Sequence, residues 1–391
     1  MKDFIYIPSL SAGAVAAAFK NTKYFFEGTK NQITPRYYSD EFPAEFRHKY
    51  FLVTAGHHYK NDNFLRDFGL EDSFVFGDSG GYQICKERIK LTDELVRRIF
   101  GFLENNSTVA ANLDIPPKGT IKISFQESLD LSYKNFTYFA DEQTGKTKYL
   151  NVLHGTNPAQ VALWYDKVKG MPFNGWACGS VYQKYSLLYT IAHLLENGEF
   201  SNPNNEYVHF FGLSSPIDFL VCAKLQKCLN KYGSHVTITT DSSSPSLNGL
   251  YGTYTHGLNY RESTWSIFKL LKNSNIDYDI DEPLPCPIDC PICNSTTYQD
   301  FKSYSTLQTQ YIVLHNTMMY VKYSKLIQKL IYTPTEILDT YLSKDVSKML
   351  GSIELMFESG TPLKIFNKFS PFYSSFDSSI KIKNITDSSF F

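Results

Sequence analysis

The sequence predicts an α/β fold of the (β/α)8 barrel class, with additional segments toward the C-terminus. Two observations carry this prediction. Short apolar runs recur along the first two thirds of the chain, with helix-length segments between most of them, and polar or glycine residues follow nearly every run. The length of 391 residues and the hydrophobic fraction of 42% allow a core of this size.

Eight runs are short and nearly continuous in their apolar character, as expected of parallel strands that are buried on both faces. A (β/α)8 barrel requires eight such strands. The runs are Phe4–Ile7, Tyr50–Ala55, Phe74–Phe76, Val109–Leu113, Tyr149–Leu153, Gly175–Cys178, Tyr207–Phe211 and Val236–Thr240.

Several intervening segments have helical spacing of their apolar residues together with helix start or stop signals. Thr92 precedes one of them as a capping residue, and Asn157-Pro158 opens another. The predicted helices are Leu91–Phe100, Pro158–Val168, Tyr185–Leu195, Ile217–Leu229 and Glu262–Leu271. A further helix is predicted over Thr335–Met349, and the tail from about Lys364 lacks periodicity.

Chemically useful side chains gather where the predicted strands end. Asp78, Asp114, His154 and Asp241 each follow or end a run. The C-terminal ends of the strands hold the active site in barrel enzymes, so the chain is expected to be an enzyme. Each residue also has a plainer interpretation: Asp78 and Asp241 as capping residues of the next segment, and His154 as an ordinary strand-end histidine.

Composition bounds the setting. The net charge of −1 does not exclude a nucleic-acid partner, but any basic surface must be local. Seven cysteines, an odd number, argue against a disulfide framework and favour a reducing, cytoplasmic compartment. We expect no secretory signal, and the small-residue run from Ala12 to Phe19 is too short to span a bilayer.

Three cysteines form a compact group after residue 285, where the composition changes. Cys286, Cys290 and Cys293 lie on a proline-rich loop, and His315 is the one histidine that follows them. Three thiolates and an imidazole suit a tetrahedral Zn²⁺ site, which is structural because four protein ligands leave no open position. Three unligated thiols are the alternative. We therefore divide the chain into a barrel (1–272), a zinc-binding subdomain (273–330) and a helical extension with a low-complexity tail (331–391).

Several motifs together resemble the tRNA-guanine transglycosylase superfamily over about residues 50 to 325. The segment Asp78–Gln83 reads D-S-G-G-Y-Q and is similar to the D-S-G-G-F-Q of that family. Gly175–Val181 resembles its G-Y-A-I-G-G-L segment, Phe211–Pro216 resembles its M-G-V-G-T-P turn, and His315-Asn316 matches its H-N pair. Asp114 matches the Asp of the fourth strand that contacts the base.

Other motifs depart from the family pattern. Asp241 matches the nucleophile of F-D-C-x-x-P-T-R, and Pro245 is retained, but Ser246-Leu247 replace Thr-Arg. His154 stands where the family has a base-contacting Gln, and the first cysteine gap is C-x-x-x-C instead of C-x-C. With Ser180 in place of Gly, these changes resemble most the phage and bacterial branch that inserts a 7-deazaguanine such as preQ0 into DNA.

The resemblance implies a base exchange at a nucleotide that has left its stack. Asp241 would attack C1′ and form a covalent glycosyl-enzyme, and Asp78 would give a proton to the departing guanine and take one from the incoming base. The residues implied to bind the base are Ser79, Gly80, Gly81, Gln83, Asp114, His154, Gly179, Ser180 and Val181. The implied metal ligands are Cys286, Cys290, Cys293 and His315.

The expected partners are a polynucleotide, with DNA favoured over tRNA, and a 7-deazaguanine base. The resemblance also allows a homodimer, and no membrane association is expected. Three alternatives stay open: an RNA-directed transglycosylase, a catalytically inactive nucleic-acid-binding subunit on the same fold, and an unrelated barrel glycosidase. A pure binding subunit has no need for both Asp78 and Asp241, and a glycosidase has no need for the cysteine cluster.

Overall fold

The fold is known from a computed structural model of the chain. The structure describes residues 1–9, 24–25, 32–34, 36–86, 90–117, 123–270, 284, 286–298 and 306–388. The run from Ala12 to Phe19, which the sequence analysis considered as a membrane segment, lies outside these residues. Within them, no helix has the length and hydrophobicity that crossing a membrane requires.

Eight parallel strands form a nearly closed sheet, which confirms the predicted (β/α)8 barrel. Neighbours in the sheet follow the order β1-β8-β7-β6-β5-β4-β3-β2, and a parallel bridge between Ser9 and Leu52 brings the two ends together. The strands are β1 Ile5–Pro8, β2 Tyr50–Thr54, β3 Phe74–Asp78, β4 Val109–Ala111, β5 Lys148–Leu153, β6 Gly175–Cys178, β7 Tyr207–Phe210 and β8 Thr237–Ser242.

Helices surround the sheet and continue beyond it. The capping residues read from the sequence act as such: Thr92 and Asn157 each accept a hydrogen bond from a backbone N–H of the first helical turn. The helices are α1 Ala55–His58, α2 Phe64–Phe68, α3 Gly81–Cys85, α4 Asp93–Asn106, α5 Phe125–Glu142, α6 Pro158–Val168, α7 Lys184–Glu196, α8 Pro216–Lys231, α9 Ser244–Leu250, α10 Thr306–Ile331, α11 Thr335–Tyr341, α12 Lys344–Ser359 and α13 Pro362–Ser388.

The prediction of a helix over Glu262–Leu271 is wrong. The chain instead forms an antiparallel hairpin of β9 Thr253–Asn259 and β10 Thr264–Lys269. Residues 264–268 read T-W-S-I-F, a composition of β-branched and aromatic residues that favours strands over a short helix. The hairpin packs its Trp265 ring on Tyr320 of α10, with the ring centroids 4.1 Å apart.

The C-terminal segment also differs from expectation in detail. The predicted helix over Thr335–Met349 is divided, because the Ser343 side chain accepts a hydrogen bond from the Val346 N–H and starts α12 as a separate helix. The tail without periodicity is helical as α13. Phe366 of α13 packs edge-on against Tyr185 and Tyr189 of α7, so this helix covers one side of the barrel.

Candidate active site and metal centre

Three carboxylates lie at the C-terminal mouth of the barrel. Asp78 ends β3, Asp114 follows β4, and Asp241 lies near the end of β8. The charges of Asp114 and Asp241 both raise the pKa of Asp78, so the three groups share one electrostatic environment. The residues that the sequence analysis drew from three separate strand ends therefore meet at one site.

The pKa of Asp78 is raised from its ordinary value of 3.8 to about 7. Removal of the carboxyl from water is the main cause, and repulsion from Asp114 and Asp241 adds to it. Hydrogen bonds from the Gly80 N–H, at 3.2 Å, and from the Thr54 side chain act in the opposite direction. Near neutral pH, Asp78 is therefore present in both its protonated and its ionised form and can both donate and accept a proton.

Asp241 is held by two donors. Its Oδ1 accepts a hydrogen bond from the Gly212 N–H at 2.9 Å and one from His209 Nε2–H at 3.3 Å. The other ring nitrogen of His209, Nδ1, lies 2.8 Å from Thr239 Oγ1. The His209 ring is fully buried and stacks on Phe76, with the centroids 4.0 Å apart. These contacts fix the orientation of the Asp241 carboxylate.

His209 is a functional candidate that the sequence analysis missed. It lies inside the apolar run of β7 and reads there as an interior strand residue. The signal that identifies it is the two-residue period of strands: Thr239 and Asp241 lie on the same face of β8, and β7 runs beside β8. A polar residue that faces the barrel interior beside Thr239 and Asp241 is therefore expected to share a hydrogen-bond network with them.

His154 and Asp114 form a second buried pair. His154 Nε2 lies 2.7 Å from Asp114 Oδ2, and His154 Nδ1 lies 3.4 Å from Ser180 Oγ. Because a carboxylate only accepts, the Nε2–H donates to Asp114, while Nδ1 shares a hydrogen bond with the Ser180 hydroxyl. A Cβ at Gly179 would lie 2.3 Å from His154 Cε1, so glycine is needed for the ring to reach this position. Both ring nitrogens of His154 are thereby engaged with the protein.

The glycines after Asp78 permit a close backbone approach. Gly80 has a φ of 88°, and a Cβ there would lie 2.8 Å from the Gly56 backbone. A Cβ at Gly81 would lie 2.1 Å from the Asp114 carbonyl oxygen. The two glycines therefore let the start of α3 lie against α1 and against the segment of Asp114 that follows β4. A side chain at either position would push these segments apart.

Two buried polar atoms beside Asp78 have no hydrogen-bond partner among the described residues. They are Ser79 Oγ and Gln83 Oε1. The amide nitrogen of Gln83 lies 3.2 Å from Nε2 of His57, a residue to which the sequence analysis gave no role. Buried polar atoms are normally paired, so these two are available to a polar ligand. Val181, which the sequence analysis also expected to contact the base, is buried in the core and only 1% exposed.

The predicted metal ligands come together. The ligand atoms of Cys286, Cys290, Cys293 and His315 all lie within 4.8 Å of one another, so the group is able to bind a metal ion. His315 Nδ1 lies 3.3 Å from the sulfurs of both Cys290 and Cys293. All four residues lie on described segments, three of them on the loop before α10 and the fourth within α10.

The hairpin β9–β10 orients this group. His315 Nε2–H donates to the Thr255 carbonyl at 2.7 Å, which directs the Nδ1 lone pair toward the cysteines. The Tyr254 ring stacks on the His315 ring with centroids 4.0 Å apart, and its hydroxyl lies 2.8 Å from Cys293 Sγ. These outer contacts are those expected around a metal-bound histidine and thiolate.

Asn316 connects the metal group to the carboxylate site. Its Oδ1 accepts a hydrogen bond from the Thr255 N–H at 2.9 Å, and its Nδ2 donates to the carbonyls of Thr253 and Pro245, at 2.9 and 3.3 Å. Pro245 lies in α9, four residues after Asp241 in the chain. Asn316, the residue next to His315 of the Cys/His group, thereby holds the segment that follows Asp241.

Comparison of the chain with models of known protein families and with curated proteins finds no match.

Proposed function

We propose that this protein is a guanine transglycosylase that exchanges a guanine in a polynucleotide for a 7-deazaguanine. The observation that carries the proposal is the pair Asp78 and Asp241 at one barrel mouth. Asp78 has a pKa of about 7, and Asp241 is fixed by N–H donors of His209 and Gly212. One carboxyl group is suited to proton transfer, and the other is held in a fixed orientation. This combination suits a reaction that needs an acid, a base and a nucleophile.

In the first half of the proposed reaction, a carboxylate oxygen of Asp241 attacks C1′ of the target nucleotide. The bond between C1′ and the guanine nitrogen breaks as the ester bond to Asp241 forms. Protonated Asp78 donates its proton to the departing guanine and becomes a carboxylate. The fixed orientation of Asp241 lowers the cost of reaching the attack geometry.

In the second half, the ionised Asp78 accepts the ring N–H proton of the incoming 7-deazaguanine. The nitrogen attacks C1′ and displaces Asp241, so the nucleotide is restored with the new base and both carboxyl groups return to their starting states. Two inversions at C1′ give net retention. A pKa near 7 lets one group serve both proton transfers.

The base-binding part of the proposal rests on Asp114, Ser79 and Gln83. Since His154 occupies Oδ2 of Asp114, the Oδ1 atom remains to accept from the base. Ser79 Oγ and Gln83 Oε1, which have no partner in the part of the chain that the structure describes, add further polar contacts. His154, with both nitrogens engaged, is given a positioning role toward Asp114 instead of the direct base contact that the sequence analysis expected. The backbone of Gly179, Ser180 and Val181 stays a predicted base contact.

For the metal group, we propose a structural Zn²⁺ bound by Cys286, Cys290, Cys293 and His315. Three sulfurs and one imidazole nitrogen within 4.8 Å match the tetrahedral donor set that zinc prefers. When bound, zinc would fix the hairpin β9–β10 against α10. It takes no part in the chemistry of the carboxylates.

DNA is the proposed polynucleotide and tRNA the alternative, because the Thr-Arg pair of the tRNA-directed relatives is replaced by Ser246-Leu247. We place the activity in the cytoplasm of a bacterial or phage-infected cell, which agrees with seven cysteines that form no disulfide.

Incubation with radiolabelled guanine and either duplex DNA or tRNA tests the function directly. Label is expected to enter DNA, and to stay absent with Asp241→Ala. Label in tRNA alone would support the RNA-directed alternative. Absence of label from both polymers, with protein of full metal content, would contradict the function.

A further inference from the structure

The first turn of α7 is capped by a residue from the C-terminal helix α13. The backbone N–H groups of Lys184 and Tyr185 donate to Oδ1 and Oδ2 of Asp377, each at 2.9 Å. Gln183, the N-cap residue of α7, accepts no capping hydrogen bond on its side chain from any described residue. The first N–H groups of a helix have no partner within the helix, and a carboxylate there also interacts favourably with the helix dipole. Asp377 therefore satisfies two donors that the local sequence leaves open.

A buried ion pair fixes the same turn from another side. The Lys184 ammonium contacts Asp218 Oδ1 and donates to the Tyr182 carbonyl at 3.3 Å. Lys184 and Asp218 are 4% and 6% exposed, so solvent screens their attraction little. Asp218 also accepts from the Ser215 N–H and hydroxyl at the start of α8. The start of α7 is therefore held between α13 and the loop that follows β7.

The short segment between β6 and α7 lies at the candidate site. It contains Gly179, Ser180 and Val181, whose backbone is the predicted base contact. Ser180 has a φ of 62°, which residues with a side chain seldom adopt, so the surrounding structure has to hold this turn. Its hydroxyl lies 3.4 Å from His154 Nδ1. Three residues separate Ser180 from Lys184, so the position of the α7 start limits where this backbone can lie.

Helix α13 also contacts the other end of α7. The Leu363 N–H at the start of α13 donates to Glu196 Oε2 at the end of α7, at 3.1 Å. Helices α7 and α13 thus run antiparallel, with one carboxylate contact at each end of α7. The two contacts allow a matched comparison, because Asp377 lies next to the segment that contains Ser180 and Glu196 lies at the far end of the same helix.

We propose that Asp377 is a positioning residue for the segment Gly179–Val181, and that α13 thereby contributes to base binding through α7. The inference rests on the proposed function, since it concerns how the base is held at that same site. The Asp377 carboxylate fixes the first turn of α7, and this turn fixes the backbone that precedes it. The C-terminal extension is therefore part of the base-binding apparatus, although it lies outside the barrel.

The test compares Asp377→Ala with Glu196→Ala in the full chain. Exchange of radiolabelled guanine, with the polymer that the wild type labels, gives kcat and the KM for guanine. Asp377→Ala is expected to raise this KM about ten-fold, with kcat within about three-fold of wild type because Asp78 and Asp241 are unchanged. Asp377→Asn keeps one of the two acceptors and should raise KM about three-fold. Glu196→Ala should stay within about two-fold of wild type in both parameters.

Hydrogen–deuterium exchange provides a readout that does not depend on activity. Deuterium uptake of residues 179–187 is expected to be about ten-fold faster in Asp377→Ala than in the wild type, and unchanged in Glu196→Ala. Faster uptake with the same KM for guanine would overturn the inference, and so would unchanged uptake. An equal rise of KM in Glu196→Ala would also overturn it, because the effect would then come from the docking of α13 as a whole.

The two proposals fail in different ways. A wild type that exchanges no base would refute the proposed function. In that case, faster deuterium uptake in Asp377→Ala would still support the positioning of Gly179–Val181, and unchanged uptake would overturn it. A wild type that exchanges guanine, together with an Asp377→Ala variant of the same KM, would refute this inference alone.

Discussion

At the residue scale, a buried histidine holds each of two carboxylates at the barrel mouth. His209 donates to Asp241, and His154 donates to Asp114. Both imidazoles are packed against aromatic rings, His209 on Phe76 and His154 against Trp164 at 5.0 Å. A carboxylate whose hydrogen-bond partner is itself fixed loses little conformational freedom when a ligand binds. Catalysis requires preorganisation of this kind.

Replacement of His209 tests its role as a positioning residue. His209→Phe keeps the packing on Phe76 but removes the hydrogen bonds to Asp241 and Thr239, and we expect kcat to fall about 10- to 100-fold with KM changed less than three-fold. His209→Gln retains an N–H donor and should recover part of the loss. Steady-state exchange kinetics measure both parameters. Equal kcat for the Phe and Gln variants would remove His209 from the account.

Asp78 makes stability depend on pH in a predictable direction. Its pKa is raised on folding, so its contribution is fully present below pH 4 and is lost as the pH rises toward 7. Asp78→Asn replaces the carboxyl by an uncharged amide, so the contribution of residue 78 to the free energy of unfolding no longer changes with pH. Because Asp78 as a residue is only half-buried, solvent screens part of the effect, and we expect the free energy of unfolding of the variant to gain roughly 2 kcal/mol on wild type between pH 4 and pH 8. Urea unfolding at both pH values measures the difference, and a pH-independent difference would contradict the raised pKa.

The sequence identified Asp78, Asp114, His154 and Asp241 because strand ends are visible as the ends of apolar runs. The pairing of Asp114 with His154 could not be read in the same way, since the two are 40 residues apart and meet only when β4 and β5 pair. His209 was missed because its partners Thr239 and Asp241 lie on the neighbouring strand β8, about 30 residues away in the chain, and the inward period of both strands has to be compared before the pairing is visible.

At the element scale, α9 connects the strand that carries Asp241 to the Cys/His group. Gly249 of α9 lies so close to α10 that a Cβ there would be 2.6 Å from the Val313 side chain and backbone. Asn316 of α10 donates to the Pro245 carbonyl within α9. Because α9 starts directly after β8, these contacts also limit the movement of Asp241.

Asn316→Asp tests this connection with little change in volume. The variant keeps an oxygen for the Thr255 N–H but loses the donor to the carbonyls of Thr253 and Pro245. We expect a loss of about 1–3 kcal/mol in the free energy of unfolding and a lower exchange rate, with metal content unchanged. Chemical denaturation, kinetics and metal analysis provide the three readouts, and Asn294→Asp, at an exposed position, serves as the control. A fully active and equally stable variant would show that α9 does not depend on Asn316.

The elements themselves were predictable to different degrees. All eight barrel strands were found, because buried parallel strands are continuous apolar runs. The helix predicted over Glu262–Leu271 falls on strand β10, whose antiparallel partner β9 is not evident from the local sequence. Helix α13 lacked a period in the sequence because it buries few positions deeply, among them Phe366 and Tyr373.

At the scale of the whole molecule, the Cys/His group joins the segments beyond the barrel to the face that carries the three carboxylates. The cysteine loop, the hairpin and α10 meet at His315, and α10 in turn packs against β1 through Tyr320 and Tyr6, whose ring centroids are 6.2 Å apart. The sequence predicted the ligand set from spacing alone, but the attachment to α9 required the three-dimensional contacts of Asn316.

Metal removal is expected to destabilise the whole chain. We expect about one zinc per chain by elemental analysis, and Cys290→Ser should lose the metal together with at least about 3 kcal/mol of unfolding free energy. Cys228→Ser replaces a buried thiol outside the metal group and should keep the metal. A metal-free wild type of the same stability would remove zinc from the account.

The proposed function depends most on two roles: Asp241 forms a covalent bond to the sugar, and Asp78 donates and accepts the proton. Mass spectrometry of protein denatured during reaction with a guanine-containing DNA strand tests it most directly. We expect a nucleotide adduct on the peptide that contains Asp241 in the wild type, and no adduct with Asp241→Asn. An adduct on another residue, or full exchange by the Asp241→Asn protein, would contradict it.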